Sequence, residues 1–258
     1  MWTKIFGDGK KQPREEKSQY SAINRDRLPR HVAVIMDGNG RWANGKGLLR
    51  TAGHTAGVKT LKKIVQTATA LKMEALTVYA FSTENWKRPH GEVDFLMHLF
   101  SEYLAKEIDE MDRDNVKMQF IGRVEELSPG LQNQMENAQS RTANNTGVKF
   151  NIAVNYGGQD EITRSVKIIA KEIAAGNLSV EDINGETIEN NLYTAGLPAV
   201  DLVIRTSGDL RLSNFLLWQT AYAEFWFTDV NWPDFTPECF IEALLDFQSR
   251  ERRFGGLK

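Results

Sequence analysis

The residues best suited to chemistry begin at Asp37, inside HVAVIMDGNGRWANGKGLLRTAGH at positions 31–54. Gly38, Asn39 and Gly40 read as a turn whose backbone can approach a ligand closely, and Arg41 adds a forked cation. A glycine-bearing turn between a buried strand and a helix start aims unpaired N–H groups and a positive dipole end at one spot. That is an anion site, which Arg41, Arg50 and His54 sharpen for phosphate. The carboxylate of Asp37 belongs there when a divalent cation lies between it and the phosphates. A second polar group follows at Ser82-Thr83-Glu84-Asn85-Trp86-Lys87-Arg88-Pro89. A third, Arg205 to Asn214, sets Arg205, Arg211 and Ser213 around Gly208, a loop suited to a second diphosphate. Glu224 is the lone acid of the aromatic stretch 215–227 and calls for a partner or a metal. Each group also has an ordinary reading: Asp-Gly turns are common, arginines can be solvated, and His54 can simply sit near a helix start.

These groups must be positioned by the elements between them. Val32 to Met36 is a continuous apolar run, read as a strand buried on both faces, and Val58, Leu61, Ile64, Val65, Ala68 and Leu71 recur at helical spacing. Residues 75–81 read as a second strand, ending where Ser82, Asn85 and Arg88 can face the same crevice as Asp37. A long helix over 93–111 puts Val93, Leu96, Met97, Phe100, Tyr103, Leu104, Ile108 and Met111 on one side. That face is expected to be core, although its Met and Phe would also suit a wall for a flexible hydrocarbon. Strands over 116–121, 148–154 and 201–204 and helices over 127–141, 159–175 and 236–250 complete the pattern, with a short helix near 186–192. Such alternation predicts an α/β single domain with a mostly parallel central sheet flanked by helices. Ligands in such sheets bind outside the carboxyl ends of the strands, where all three polar groups fall.

At 258 residues, with 26% charged and 41% hydrophobic residues, the chain suits one well-buried domain. No apolar run approaches the roughly 18 residues that a membrane span needs. A net charge of −2 argues against nucleic acid as the main partner, so any anion site is local. Cys239 is the only cysteine, which excludes an intrachain disulfide and suits a reducing, cytoplasmic setting. Residues 1–30 read as a flexible basic leader, whose Trp2, Ile5 and Phe6 could touch an anionic membrane surface, and residues 31–258 as the catalytic domain.

The chain beyond the leader resembles the cis-prenyltransferases, and among them the bacterial undecaprenyl diphosphate synthases. The likeness rests on HVAVIMDGNGRWA, LLRTAGHTAG, LTVYAFSTENWKRP, NIAVNYGG, DLVIRTSGDLRLSNFLLWQTAYAEFWFTDVNWPDF and SRERRFGG. It implies a homodimeric α/β fold with a hydrophobic tunnel. It also implies a Mg²⁺-dependent transferase that condenses isopentenyl diphosphate repeatedly onto an allylic starter, usually farnesyl diphosphate, making each new double bond cis. The product would be a long polyprenyl diphosphate, the precursor of a lipid carrier for cell-wall synthesis. By motif position, Gly38, Asn39, Gly40, Arg41, Arg50 and His54 would hold the allylic diphosphate, with Trp42 packing nearby. Asp37 would handle Mg²⁺, and Glu224 would be a further metal-linked acid. Arg205, Arg211, Leu212 and Ser213 belong to the segment that would grip isopentenyl diphosphate. Ser82, Thr83, Glu84, Asn85, Trp86 and Arg88 match the segment placed at proton loss, where Asn85 is expected to position rather than to act as a base, since a neutral amide has no useful pKa. The tail Arg253-Phe254-Gly255 would complete the other subunit's site, and the long helix becomes a tunnel wall. Asp209 stands where relatives commonly carry Glu, and Gln159 where Arg commonly follows Tyr-Gly-Gly. Two rivals explain less. A non-catalytic prenyl-binding subunit typically lacks the intact Asp-Gly-Asn-Gly-Arg loop, and a phosphohydrolase leaves the apolar wall without purpose.

Overall fold

The structure is a computed structural model that describes residues 21–252. Six strands, β1 (His31–Ile35), β2 (Ala75–Ser82), β3 (Lys117–Ile121), β4 (Lys149–Tyr156), β5 (Leu202–Arg205) and β6 (Glu224–Phe227), form one sheet in the order β3-β4-β2-β1-β5-β6. Every pairing is parallel. The chain leaves β1 toward β2 on one side and later returns to β5 on the other, so a crevice opens at the carboxyl end of β1.

All five residues of β1 are buried, as a strand covered on both faces requires. Val32 and Val34 enter the large core with Leu61, Ile64 and Val65 of α2 (Arg50–Ala70), while Ala33 and Ile35 point to a smaller core with Tyr156 and Phe215. The remaining helices are α1 (Asn39–Gly45), α3 (His90–Arg113), α4 (Pro129–Arg141), α5 (Gly158–Ala174), α6 (Gly185–Glu189) and α7 (Pro237–Ser249).

Three expectations change. The residues after Asp37 are the start of helix α1 with Gly38 as its N-cap, and α2 begins at Arg50 rather than near Val58, so Arg50 and His54 stand on its first turns. Gly53 and Gly57 are what let α2 pack closely on α1, since a Cβ on either would run into Asn39. Within the stretch 1–30 read as a leader, Ile23 and Leu28 pack on the large core, and Gln248 both donates to Asn24 O at 2.7 Å and accepts from Asn24 N at 3.2 Å. The leader's earlier residues, Trp2, Ile5 and Phe6 among them, lie outside the described residues. Among the described residues no helix is long and apolar enough to cross a membrane.

A polar file crosses the buried sheet. His31 donates through Nδ1 to Pro198 O at 2.8 Å and accepts at Nε2 from Thr77 at 2.6 Å, and Thr77 Oγ1 accepts from Asn151 at 3.1 Å. This arrangement needs neutral imidazole, and burial pushes the His31 pKa down. The unfolded chain therefore binds a proton that the folded chain refuses, and stability falls as pH drops below about 6.5. Denaturant unfolding at pH 7.5 and 5.5 should show this loss, at most about 1.4 kcal/mol per pH unit from this site. His31→Gln should flatten that slope.

Candidate active site

A cleft of about 640 Å³ lies at the carboxyl ends of the strands, lined by Asp37, Gly38, Asn39 and Gly40 after β1, by Ser82, Glu84, Asn85 and Arg88 after β2, and by Arg205, Arg211, Ser213 and Asn214 after β5. Arg50 and His54 complete it from α2. The parallel register brings these distant segments to one edge.

Asp37 is the hub of one wall. Its Oδ2 accepts from Arg41 at 3.0 Å and from Arg205 at 2.9 Å, and its Oδ1 accepts from Gly38 N at 2.7 Å. Gly38 has φ 99°, and a Cβ there would stand 2.4 Å from Asn231 Oδ1, so conformation and space both demand glycine. Arg41 reaches past the cleft to Ser207 O at 2.7 Å and Asp209 at 2.8 Å. Arg205 is 3% exposed. It donates to Ser213 Oγ at 2.8 Å and to Arg211 O, which ties the third sequence group to the first. Asp209 is also paired with Arg211 at 3.0 Å. Burial works against its ionisation, but Arg41 and Arg211 hold its carboxyl below the usual range.

The opposite wall is organised by Glu92, which the sequence reading missed. It stands in the first turn of α3 and pairs with Arg88 at 3.0 Å, Arg50 at 3.4 Å and His54 at 3.5 Å. Arg88 and Glu92 are four apart across Pro89, an i,i+4 signal at a helix start that could have revealed it. Burial and the nearby Arg88 charge lower the His54 pKa, against the pull of Glu92. Asn85 accepts from Ser82 N at 3.0 Å, one half of a reciprocal capping box over the turn Thr83–Lys87.

Several expected site residues lie outside the cleft. Trp42 donates to Asp234 at 2.7 Å beneath Lys46, and Trp86 donates to Asn155 at 2.7 Å. Thr83 faces Gly157, and Leu212 packs on the smaller core. Glu224 is not brought to Asp37. It opens β6, opposite Leu202, whereas the cleft begins beyond Arg205 at the other end of the same pairing. Its carboxylate meets Arg250 at 2.8 Å, the partner that a lone acid in an apolar stretch requires. Arg253 and Gly255 lie outside the described residues.

Met36, Asn39, His54, Ala80 and Leu96 line both the cleft and an adjoining apolar cavity of about 100 Å³. Leu96, Met97, Leu99, Phe100 and Tyr103 of α3 line it, with Phe81, Leu61 and Trp232 across from them. The long helix is thus divided: its first half walls the cavity, while Leu104, Ile108 and Met111 are core.

The junction of α1 and α2 sets the position of the cleft floor. A Cβ on Gly53 would lie 2.0 Å from Asn39 O, a main-chain atom that cannot swing aside. Gly53→Ala is expected to cost about 1–3 kcal/mol and, by shifting Asn39, to slow turnover at least about tenfold. A thermal melt with a rate measurement checks both.

Among the described residues no three His, Cys, Asp or Glu side chains form a ready cation cage. Asp37 is nonetheless 31% exposed, in a cleft rich in groups that hold phosphate. Mg²⁺ commonly takes one or two carboxylates plus phosphate oxygens, so this donor set fits an ion that shares its shell with a diphosphate.

The family profile described as putative undecaprenyl diphosphate synthase matches residues 35–255. An isoprenyl transferase of Clostridium perfringens is 49% identical over 243 residues, covering 94% of this chain and 96% of that one. A Vibrio vulnificus protein named ditrans,polycis-undecaprenyl-diphosphate synthase ((2E,6E)-farnesyl-diphosphate specific) is 48% identical, covering 92% and 94%. Among solved structures, lavandulyl diphosphate synthase from Lavandula x intermedia, in complex with dimethylallyl diphosphate, superposes with a TM-score of 0.87 at 36% identity, covering 90% of this chain and 100% of that one. Since likeness at this level spans the strand ends and loops that build the cleft as well as the core, the chain belongs to the cis-prenyltransferase family of undecaprenyl diphosphate synthases.

Proposed function

We propose that the chain condenses isopentenyl diphosphate repeatedly with an allylic diphosphate, farnesyl diphosphate as starter, to give a long cis-polyprenyl diphosphate, with undecaprenyl diphosphate as product. The observation that carries this reading is one cleft with two separate arginine walls that shares a lining with an adjoining apolar cavity. Two walls suit two diphosphates. The cavity beside them suits a hydrocarbon, which gains about 0.8 kcal/mol for each CH₂ it buries.

In the step proposed, the allylic C–O bond breaks and diphosphate leaves with the electron pair. The double bond of isopentenyl diphosphate supplies the electrons for the new C–C bond, and a proton departs from the neighbouring carbon to the released diphosphate. Arg50, His54 and Arg88 would hold the allylic diphosphate, with backbone N–H groups of α1 behind it, and gain strength as negative charge builds on the leaving oxygen. Arg205, Arg211 and Ser213 would hold the other diphosphate. Asp37 would hold Mg²⁺, which when bound supplies Lewis-acid stabilisation of the leaving group. Asn85 acts through the turn that it caps, because its amide oxygen is already engaged by Ser82 N. A homodimer, with Arg253 and Gly255 of one subunit completing the site of the other, and transient membrane contact for product release belong to the same reading.

The test incubates purified protein with Mg²⁺, farnesyl diphosphate and labelled isopentenyl diphosphate, then sizes the extracted lipid. A long labelled polyprenyl product is expected. Phosphate release from a monoester, or no incorporation by folded dimeric protein, would overturn the reading.

A further inference from the structure

Helix α5 starts with an unmet need. Its N-cap is Gly157, which has no side chain for the first free N–H groups. Asn214, from a segment 55 residues beyond Gln159, meets it. Its main-chain oxygen accepts from Gly158 N at 2.7 Å, and its Oδ1 accepts from Gln159 N at 2.8 Å. The third arm, Nδ2, donates to Glu84 Oε1 at 2.9 Å. One residue therefore joins the loop after β5, the start of α5 and the segment after β2.

The backbone is bent to allow this. Ser213 and Asn214 both lie in the left-handed region, at φ 50° and 66°, which Asn tolerates better than most residues. The glycines opposite supply the room, since a Cβ on Gly157 would come within 2.8 Å of Asn214 Nδ2, and one on Gly158 within 3.2 Å of its main-chain oxygen. Ser213, held at 2.8 Å by Arg205, is the neighbour whose placement depends on this bend.

We propose that Asn214 is a positioning residue, a latch that fixes the Arg205–Ser213 wall to the head of α5 and, through Glu84, sets its distance from the segment after β2. This rests on the assignment of that wall to isopentenyl diphosphate. Asn214→Ala should raise the KM for isopentenyl diphosphate about tenfold and leave that for farnesyl diphosphate within about twofold. Asn214→Gly keeps the backbone conformation without the side-chain bonds, so it should show the same split should the alanine variant not fold. Asn214→Asp still caps Gln159 N but faces Glu84 with a second carboxylate, and it too should raise the KM. Adding Glu84→Gln to Asn214→Asp restores a donor and acceptor pair with its direction reversed, and should recover most of the loss. Glu84→Gln alone is the control. Equal rises in both KM values, unchanged KM values, or no recovery in the double variant would overturn the latch. A wild-type chain that makes no polyprenyl product would instead bring down the functional reading itself.

Discussion

Asp37→Asn should lower the condensation rate about 10²- to 10³-fold, the size of effect seen when one stabiliser of transition-state charge is lost. The substitution keeps the shape of the side chain and its acceptor for Gly38 N, so α1 still begins where it does. What goes is the negative charge that gathers Arg41 and Arg205 and that would share a cation with the diphosphates. Asp37 is 31% exposed, so its pair with the half-exposed Arg41 is screened, but the substitution also takes the nearest counter-charge from Arg205, which is 3% exposed, and the melting temperature should fall. Turnover and a thermal melt on the same preparation check this. A rate within about tenfold of wild type would remove Asp37 from the chemistry.

Arg205→Ala should act on stability and substrate binding together. This guanidinium is 3% exposed and holds Asp37, Ser213 Oγ and Arg211 O at once. Truncation leaves Ser213 Oγ and Arg211 O without this donor, takes one of two arginines from Asp37 Oδ2 and opens a void beneath the loop, at a cost of about 2 kcal/mol or more. The second diphosphate wall then loses its inner cation and its hold on Ser213, so kcat/KM should fall about 10²-fold or further. Lysine is no substitute, because one ammonium cannot span the three acceptors in a planar fork. Arg211→Ala is the contrast. Arg211 is 62% exposed and, among the described residues, bonds through its side chain only to Asp209. Its loss should raise the KM for isopentenyl diphosphate with little change in the melt. Equal stability losses in the two variants would contradict the division between an inner and an outer arginine.

Much of this site was legible in the residues. The apolar run before Asp37, the polar clusters after two later strands and the alternation of strand and helix predict a parallel sheet with these polar groups along one edge, and a cleft there is lined by Asp37, Arg50, His54, Ser82, Asn85, Arg88, Arg205, Arg211 and Ser213. Periodicity reports which face of an element is apolar, and alternating strands and helices imply parallel pairing through right-handed crossovers. Where side chains turn away from the cleft, the reason is complementary. Trp42 and Trp86 are near cleft residues in sequence, but the helical turn each occupies points its indole to Asp234 or Asn155. Glu224, a lone acid in an aromatic stretch, calls for a partner or a metal, and the structure supplies a partner in Arg250.

By itself the sequence determined the fold class, the edge of the sheet where chemistry gathers and most of the charged groups that gather there, because these depend on local periodicity and on strand ends. Only the tertiary structure decided that Arg41 and Arg205 share Asp37, that Glu92 gathers Arg50, Arg88 and His54 into one wall, and that Asn214 caps a helix begun far earlier in the chain. It also divided α3 between cavity wall and core. Pairings of this kind join residues distant in sequence, and hydrogen-bond geometry and burial select among many partners of the same chemical type only once the backbone has brought them together.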